Sequence, residues 1–211
     1  MLGPRVPRRY NGPMGEFDVA PSVPRWGNRC MAAVGRAVLR AYGWRLEIRL
    51  PDLPKFVVIA APHTTNWEFV FGMAAILALR LRINWWAKHT LFCWPFGGLM
   101  RWAGGIPVNR ASPRGLVGDA VAAFESRPQM VLGLAPEGTR QRVDKWKTGF
   151  YQVAVAARVP IVLAYLDYRR KVVGTGPVIT PSGDYAADMQ RIAAFYRGVA
   201  PKYPERFADP R

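Results

Sequence analysis

The residues best suited to chemistry are His63 and Glu68, in the stretch Ala60-Ala61-Pro62-His63-Thr64-Thr65-Asn66-Trp67-Glu68. His63 is one of only two histidines in the chain, and it stands five residues before an acid. An imidazole titrates near neutrality, so it can remove the proton of a hydroxyl as that oxygen attacks a carbonyl. A carboxylate on the far ring nitrogen fixes the tautomer and stabilises the imidazolium that develops. The same letters admit a second reading. Thr65-Asn66-Trp67-Glu68 fits a capping box, in which Glu68 reaches back to the Thr65 amide and simply starts a helix.

The elements around this pair decide whether its members can meet. Lys55 to Ala61 carries a continuous Phe-Val-Val-Ile run expected of a strand buried on both faces, and helical spacing follows from Asn66 to about Arg82. His63 is therefore expected at a strand-to-helix turn. Further strands are predicted at 44–50, 84–88, 106–108, 130–135 and 161–168, with helices at 96–102, 115–125, 149–157 and 184–196. Residues 169–174 read as a tight hairpin or short strand leading to Pro177-Val178-Ile179. Strands alternating with helices imply an α/β fold in which a mostly parallel, mixed sheet is flanked by helices on both faces. In such sheets ligands gather at the carboxyl ends of the strands, where His63, Arg110 and Glu137 are expected to emerge.

With 211 residues the chain is read as one domain. Residues 1–24, rich in proline, arginine and glycine, are expected to form a loose arm, with Met14 an alternative start. The domain proper is placed at 25–200 and a tail at 201–211. Within the domain, 26–43 has the spacing of an amphipathic helix: Arg29, Arg36 and Arg40 fall within about 40° of one another, opposite Met31, Val34, Val38 and Tyr42. That helix either covers the core with its arginines in solvent or lies on an anionic lipid surface.

Thirty Lys plus Arg against 14 Asp plus Glu give a formal charge of +16, which suits a polyanionic partner without choosing among nucleic acid, anionic lipid and phosphorylated substrates. The longest apolar run, Phe69 to Leu79, is about half the roughly 20 residues of a membrane span. The N-terminus has no hydrophobic stretch of a secretory signal, and Cys30 and Cys93 form no disulfide or metal-ligand pattern. A reduced, cytoplasmic setting with no metal is expected.

Three further blocks follow the first in order: Gly104-Gly105-Ile106-Pro107-Val108-Asn109-Arg110, Ala135-Pro136-Glu137-Gly138-Thr139-Arg140, and Val159-Pro160-Ile161-Val162-Leu163. Together with a His-x4-acid start, these resemble the successive motifs of the glycerolipid acyltransferases, over roughly residues 45–180. The family includes bacterial enzymes that acylate glycerol 3-phosphate or lysophosphatidic acid from acyl-carrier-protein or coenzyme A thioesters. The resemblance implies a glycerol-3-phosphate acyltransferase-like fold, with His63 as general base and Glu68 as its orienter. It implies phosphate-binding roles for Arg110 and Arg140, an acceptor-binding turn at Glu137, Gly138 and Thr139, and an acceptor-side role for Lys88. Guanidinium groups grip phosphate in a bidentate fork and lysine acts as a point charge. Each cation also has a plain reading as a solvated charge, and Pro136-Glu137-Gly138-Thr139 is a serviceable turn without chemistry.

The chain departs from the pattern in three places. Glu68 replaces the usual aspartate, Asn109 the acid that commonly precedes the second-motif arginine, and Pro107 an aromatic residue. The wording resembles a bacterial lysophospholipid acyltransferase-like subgroup with a His-x4-Glu motif. Implied partners are an acyl-carrier-protein or coenzyme A thioester, a lipid acceptor and the anionic inner face of the cell membrane, with no cofactor and no nucleic acid. The rivals are an acyltransferase for an amino-acid lipid or glycolipid, a lipid or thioester hydrolase, and a basic non-enzymatic protein binding nucleic acid or membrane. Trp85, Trp86, Trp94 and Trp102 with Phe92, Phe96, Leu99 and Met100 form an apolar stretch that reads either as core or as a groove for an acyl chain.

Overall fold

The computed structural model describes residues 10–12, 15–108 and 115–207. Nine strands form one sheet: β1 Tyr10–Gly12, β2 Gly15–Val19, β3 Arg45–Leu50, β4 Lys55–Ala60, β5 Asn84–Lys88, β6 Gly105–Val108, β7 Met130–Leu134, β8 Ile161–Asp167 and β9 Val172–Ile179. Their order is β1-β2-β3-β9-β8-β4-β7-β5-β6. Only the β1–β2 and β8–β9 pairs are antiparallel, so the expected mostly parallel, mixed sheet is what forms. Among the described residues the α-helices are α1 Arg29–Ala41, α2 Trp67–Ala78, α3 Gly97–Trp102, α4 Gly115–Ser126, α5 Gly149–Ala156 and α6 Tyr185–Tyr196.

Strand β4 is central, parallel to β7 on one side and β8 on the other, and its Phe56, Val57, Val58 and Ile59 are all buried. Successive side chains point to opposite faces, which is why the run is continuous rather than alternating. Val57 and Ile59 enter a core with α4, α5 and α6, whereas Phe56 and Val58 enter one with α1 and α2. The layer on that second face is close-packed at Gly35 of α1, where a Cβ would lie 2.4 Å from the Ala74 carbonyl oxygen of α2.

Helix α1 starts later than its spacing suggests, because the Asn28 side chain accepts the Met31 amide at 3.0 Å. Its buried residues are Ala32, Gly35 and Leu39, while Val34, expected inward, is 58% exposed. The buried face runs through Ala32, Gly35 and Leu39 instead, and at Gly35 the close approach of α2 leaves no room for a side chain. Helix α2 stops at Ala78 rather than near Arg82: Arg80 has φ +55°, and Arg82 turns its amide to the Pro24 carbonyl.

The expected loose arm requires correction at its described residues. Residues 15–19 pair parallel with β3 from Gly15↔Leu46 to Val19↔Leu50, and 10–12 pair with β2. Backbone hydrogen bonds at a sheet edge need no apolar side chains, so a proline-rich composition concealed the strands. Arg25 then ties the entry to α1 by donating to the Leu79 and Val19 carbonyls. Met14 lies outside the described residues.

At the other end, residues 201–207, read as the start of a tail, lie against the domain. The Tyr168 amide donates to the Ala200 carbonyl, Arg206 Nη1 to the Thr64 carbonyl, and Arg142 Nη1 to the Phe207 carbonyl. The segment thus passes the carboxyl ends of β8, β4 and β7, three neighbours in the sheet.

Candidate active site

Strand β4 ends at Ala60, and the chain passes through a cis Ala61–Pro62 bond to His63 before α2 begins at Trp67. Glu68, in the first turn of α2, is 4% exposed. Its Oε2 lies 3.2 Å from His63 Nδ1 and accepts the Thr65 amide at 2.9 Å, and its Oε1 accepts the Thr64 hydroxyl at 2.9 Å. Glu68 thus sits where both readings need it: its bond from the Thr65 amide is the acid half of the expected capping box, and the same carboxylate faces the histidine. Hydrogen bonds from Thr64 and Thr65 offset the cost of burying the carboxylate and fix its orientation toward the imidazole. The longer side chain reaches His63 from the helix, as a Glu in this position had to. With Nδ1 turned inward, the partly exposed ring has Nε2 left to meet a substrate.

Glu137 follows β7 and is 3% exposed. Both of its carboxylate oxygens accept the His63 amide, at 2.9 and 3.1 Å. This contact clips the turn after β7 to the residue that carries the imidazole. Burial pushes the Glu137 carboxyl up to about 7, opposed by the His63 amide and reinforced by the Glu68 carboxylate. Gly138 next to it has φ +65°, and a Cβ there would meet Lys147 Nζ at 2.6 Å. The turn is closed by the Gly138 amide on the Ala135 carbonyl and the Lys147 amide on the Pro136 carbonyl. Thr139 accepts the Gln141 amide, and Arg140 is exposed.

Of the residues singled out in sequence, His63, Glu68, Glu137, Gly138, Thr139 and Arg140 fall at the carboxyl ends of the adjacent strands β4 and β7. Lys88 is the last residue of β5, the strand beyond β7. Arg110 lies outside the described residues. Sequence reasoning left Lys147 open between a site residue and a surface charge, and it assigned Lys202 and Arg206 to a tail. Lys147 was signalled only by Gly138: a glycine at positive φ with a side chain laid against it. Nothing local signalled Lys202 or Arg206.

The apolar stretch between the first two motifs divides in two. Trp85 is held by an indole N–H bond to the Ala103 carbonyl at 3.0 Å and packs against Phe69 and Phe92, and Trp86 packs on the α4–α6 core. Trp94, Phe96, Leu99 and Trp102 are 94%, 65%, 53% and 53% exposed.

Residues 49–166 match the sequence model of a family described as Acyltransferase. The 1-acyl-sn-glycerol-3-phosphate acyltransferase of Escherichia coli K12 is 28% identical over 131 residues, which is 57% of this chain and 52% of that protein. The enzyme of that name from Salmonella typhimurium is similar to the same extent. The chain spans about half the length of the curated relatives it matches. The crystal structure of the 1-acyl-sn-glycerophosphate (LPA) acyltransferase PlsC from Thermotoga maritima superposes with a TM-score of 0.58 at 15% identity, covering 81% of this chain and 78% of that one, and shares the fold. With more than half its length matched by the family's sequence model, and with the motif residues gathered at neighbouring strand ends, the chain belongs to the Acyltransferase family.

Proposed function

We propose that this protein transfers a fatty acyl group from an acyl-carrier-protein or coenzyme A thioester to the free hydroxyl of a lysophospholipid-type acceptor, 1-acylglycerol 3-phosphate, in phospholipid synthesis. The observation that carries the reading is the 3.2 Å contact of His63 Nδ1 with a buried, doubly hydrogen-bonded Glu68. In the proposed reaction the acceptor hydroxyl gives its proton to His63 Nε2 as its oxygen forms a bond to the thioester carbonyl carbon. The C–S bond then breaks, and the imidazolium returns the proton to the departing sulfur. Glu68 stabilises the imidazolium between these steps, and Glu137 holds the His63 backbone in place. Arg140, Arg110 and Lys88 are proposed for the acceptor phosphate, with Gly138 and Thr139 shaping the turn beside it.

Among the described residues no helix is long and apolar enough to cross a membrane. We place the protein peripherally on the inner face of the cell membrane, on two supports. The segment Leu91–Trp102 exposes five large apolar side chains, more than a solvent-facing loop needs. Trp102 meets Trp26 at the entry to α1, whose outward face carries Arg29 and Arg40.

The test is labelled acyl thioester supplied with lysophosphatidate, glycerol 3-phosphate or lyso-amino-acid lipids, with products identified by mass spectrometry. Wild-type protein should make phosphatidate, and His63→Ala should make none while keeping its thermal transition. Activity retained in His63→Ala refutes the base, and fatty acid released without acceptor refutes transfer in favour of hydrolysis.

A further inference from the structure

We propose that the C-terminal strap, residues 200–207, adds a phosphate-binding pair, Lys202 and Arg206, to the active site. The strap passes the carboxyl ends of β8, β4 and β7 and is anchored beside both catalytic motifs, through Thr64 and Arg142. It lies outside the 49–166 stretch matched to the family, so the family's motifs do not account for it.

Both cations are held in place. Arg206 donates Nη1 to the Thr64 carbonyl at 3.3 Å, one residue from His63, and its guanidinium lies 4.6 Å from the Tyr203 ring centroid. Lys202 Nζ is ringed by Tyr203, Trp67 and Tyr168, at 5.4, 5.9 and 6.0 Å from their centroids. The two charges share the Tyr203 ring. Trp67, beneath Lys202, immediately precedes Glu68 in α2. Among the described residues neither cation forms an ion pair, although the strap itself contains Glu205. In a chain of charge +16, holding two cations against one ring costs repulsion that a bound anion would offset. A second feature points the same way. The hydroxyl of Tyr168, one of the rings around Lys202, is buried without a hydrogen-bond partner.

A doubly charged phosphate suits the pair: one guanidinium with N–H groups beyond the Thr64 contact, and one ammonium as a point charge. The inference rests on the acyl-transfer reading for its ligand, which is either the acceptor's phosphate or a phosphate of the donor. Lys202→Gln and Arg206→Gln in the full-length protein are the variants, and both are checked for an unchanged thermal transition. Lys202→Gln alone carries the test if Arg206→Gln fails to fold, since Lys202 makes no bond to Thr64.

Calorimetric titration with sn-glycerol 3-phosphate and, separately, with coenzyme A should show about tenfold weaker binding of one probe in each variant. KM for the matching substrate should rise about as much, with kcat within twofold of wild type. A loss confined to glycerol 3-phosphate and lysophosphatidate assigns the pair to the acceptor, and one confined to coenzyme A and its thioester assigns it to the donor. Unchanged binding of both probes in Lys202→Gln, or an effect on kcat alone, overturns the site. Lys202-dependent binding in a wild-type protein that acylates no lysophosphatidate would leave the site standing and remove the proposed reaction. Acyl transfer with unchanged KM values in both variants would do the reverse.

Discussion

Glu68 makes two contacts with one carboxylate, a helix cap and a facing imidazole, and the tasks they imply can be separated. Glu68→Gln keeps an oxygen for the Thr65 amide and the His63 Nδ1–H, and presents its amide NH2 to the Thr64 hydroxyl, which can rotate to accept. The cap survives, so unfolding free energy in urea should fall by no more than about 1 kcal/mol. What disappears is the negative charge 3.2 Å from the imidazole. If that charge stabilises a developing imidazolium, kcat for acyl transfer should fall about 10²–10⁴-fold, or about 3–5 kcal/mol of barrier. Glu68→Ala removes both tasks. It leaves the Thr64 hydroxyl, 0% exposed, and the Thr65 amide without their acceptor, at about 1–3 kcal/mol each, so it should lose about 2–6 kcal/mol of stability. Glu68→Asp restores the family's usual acid but retracts the carboxylate by one C–C bond, about 1.5 Å, which takes it out of reach of His63 on this backbone. It should therefore behave like Glu68→Gln in kcat. The assay is urea unfolding followed by circular dichroism, paired with initial rates at saturating substrates. Wild-type kcat in Glu68→Gln with an intact fold would refute the dyad and leave Glu68 as a helix cap only.

Three other outcomes follow from particular contacts. Because Glu137 is held near 7 when folded and near 4.5 when unfolded, the unfolded chain releases its proton first, and stability is lost as pH rises from about 4.5 to 7; Glu137→Gln should lack this loss of about 3 kcal/mol, measured as urea midpoints at pH 5 and pH 8. Gly35→Ala drives a methyl group into the Ala74 carbonyl and should destabilise the protein by about 1–3 kcal/mol in thermal unfolding, whereas Gly72→Ala, with open space around its Cβ, should not. Replacing Trp94 and Phe96 together by serine should leave the unfolding transition unchanged, since both are exposed, and should reduce co-sedimentation with anionic lipid vesicles; undiminished co-sedimentation would show that this segment does not face the membrane.

The alternation of strands and helices, the placement of His63 after a fully buried strand and the ordered blocks that define the family were all legible in the amino-acid order. These are local signals: β4 needs apolar residues on both faces, and a turn such as Pro136-Glu137-Gly138-Thr139 is written in its own letters. The sequence also posed the right question about Glu68 without answering it, because a capping box and a dyad require the same spacing, and only the position of the imidazole separates them. The tertiary structure places one carboxylate for both, accepting the Thr65 amide and lying 3.2 Å from His63 Nδ1. It decided as well that Glu137, 74 residues away in sequence, grips the His63 amide, a contact made only when β7 lies beside β4. The N-terminal strands and the C-terminal strap were illegible for one reason. Their order comes from backbone pairing and from partners far along the chain, Leu46 for Gly15 and Thr64 for Arg206, and a composition of prolines and charges records neither.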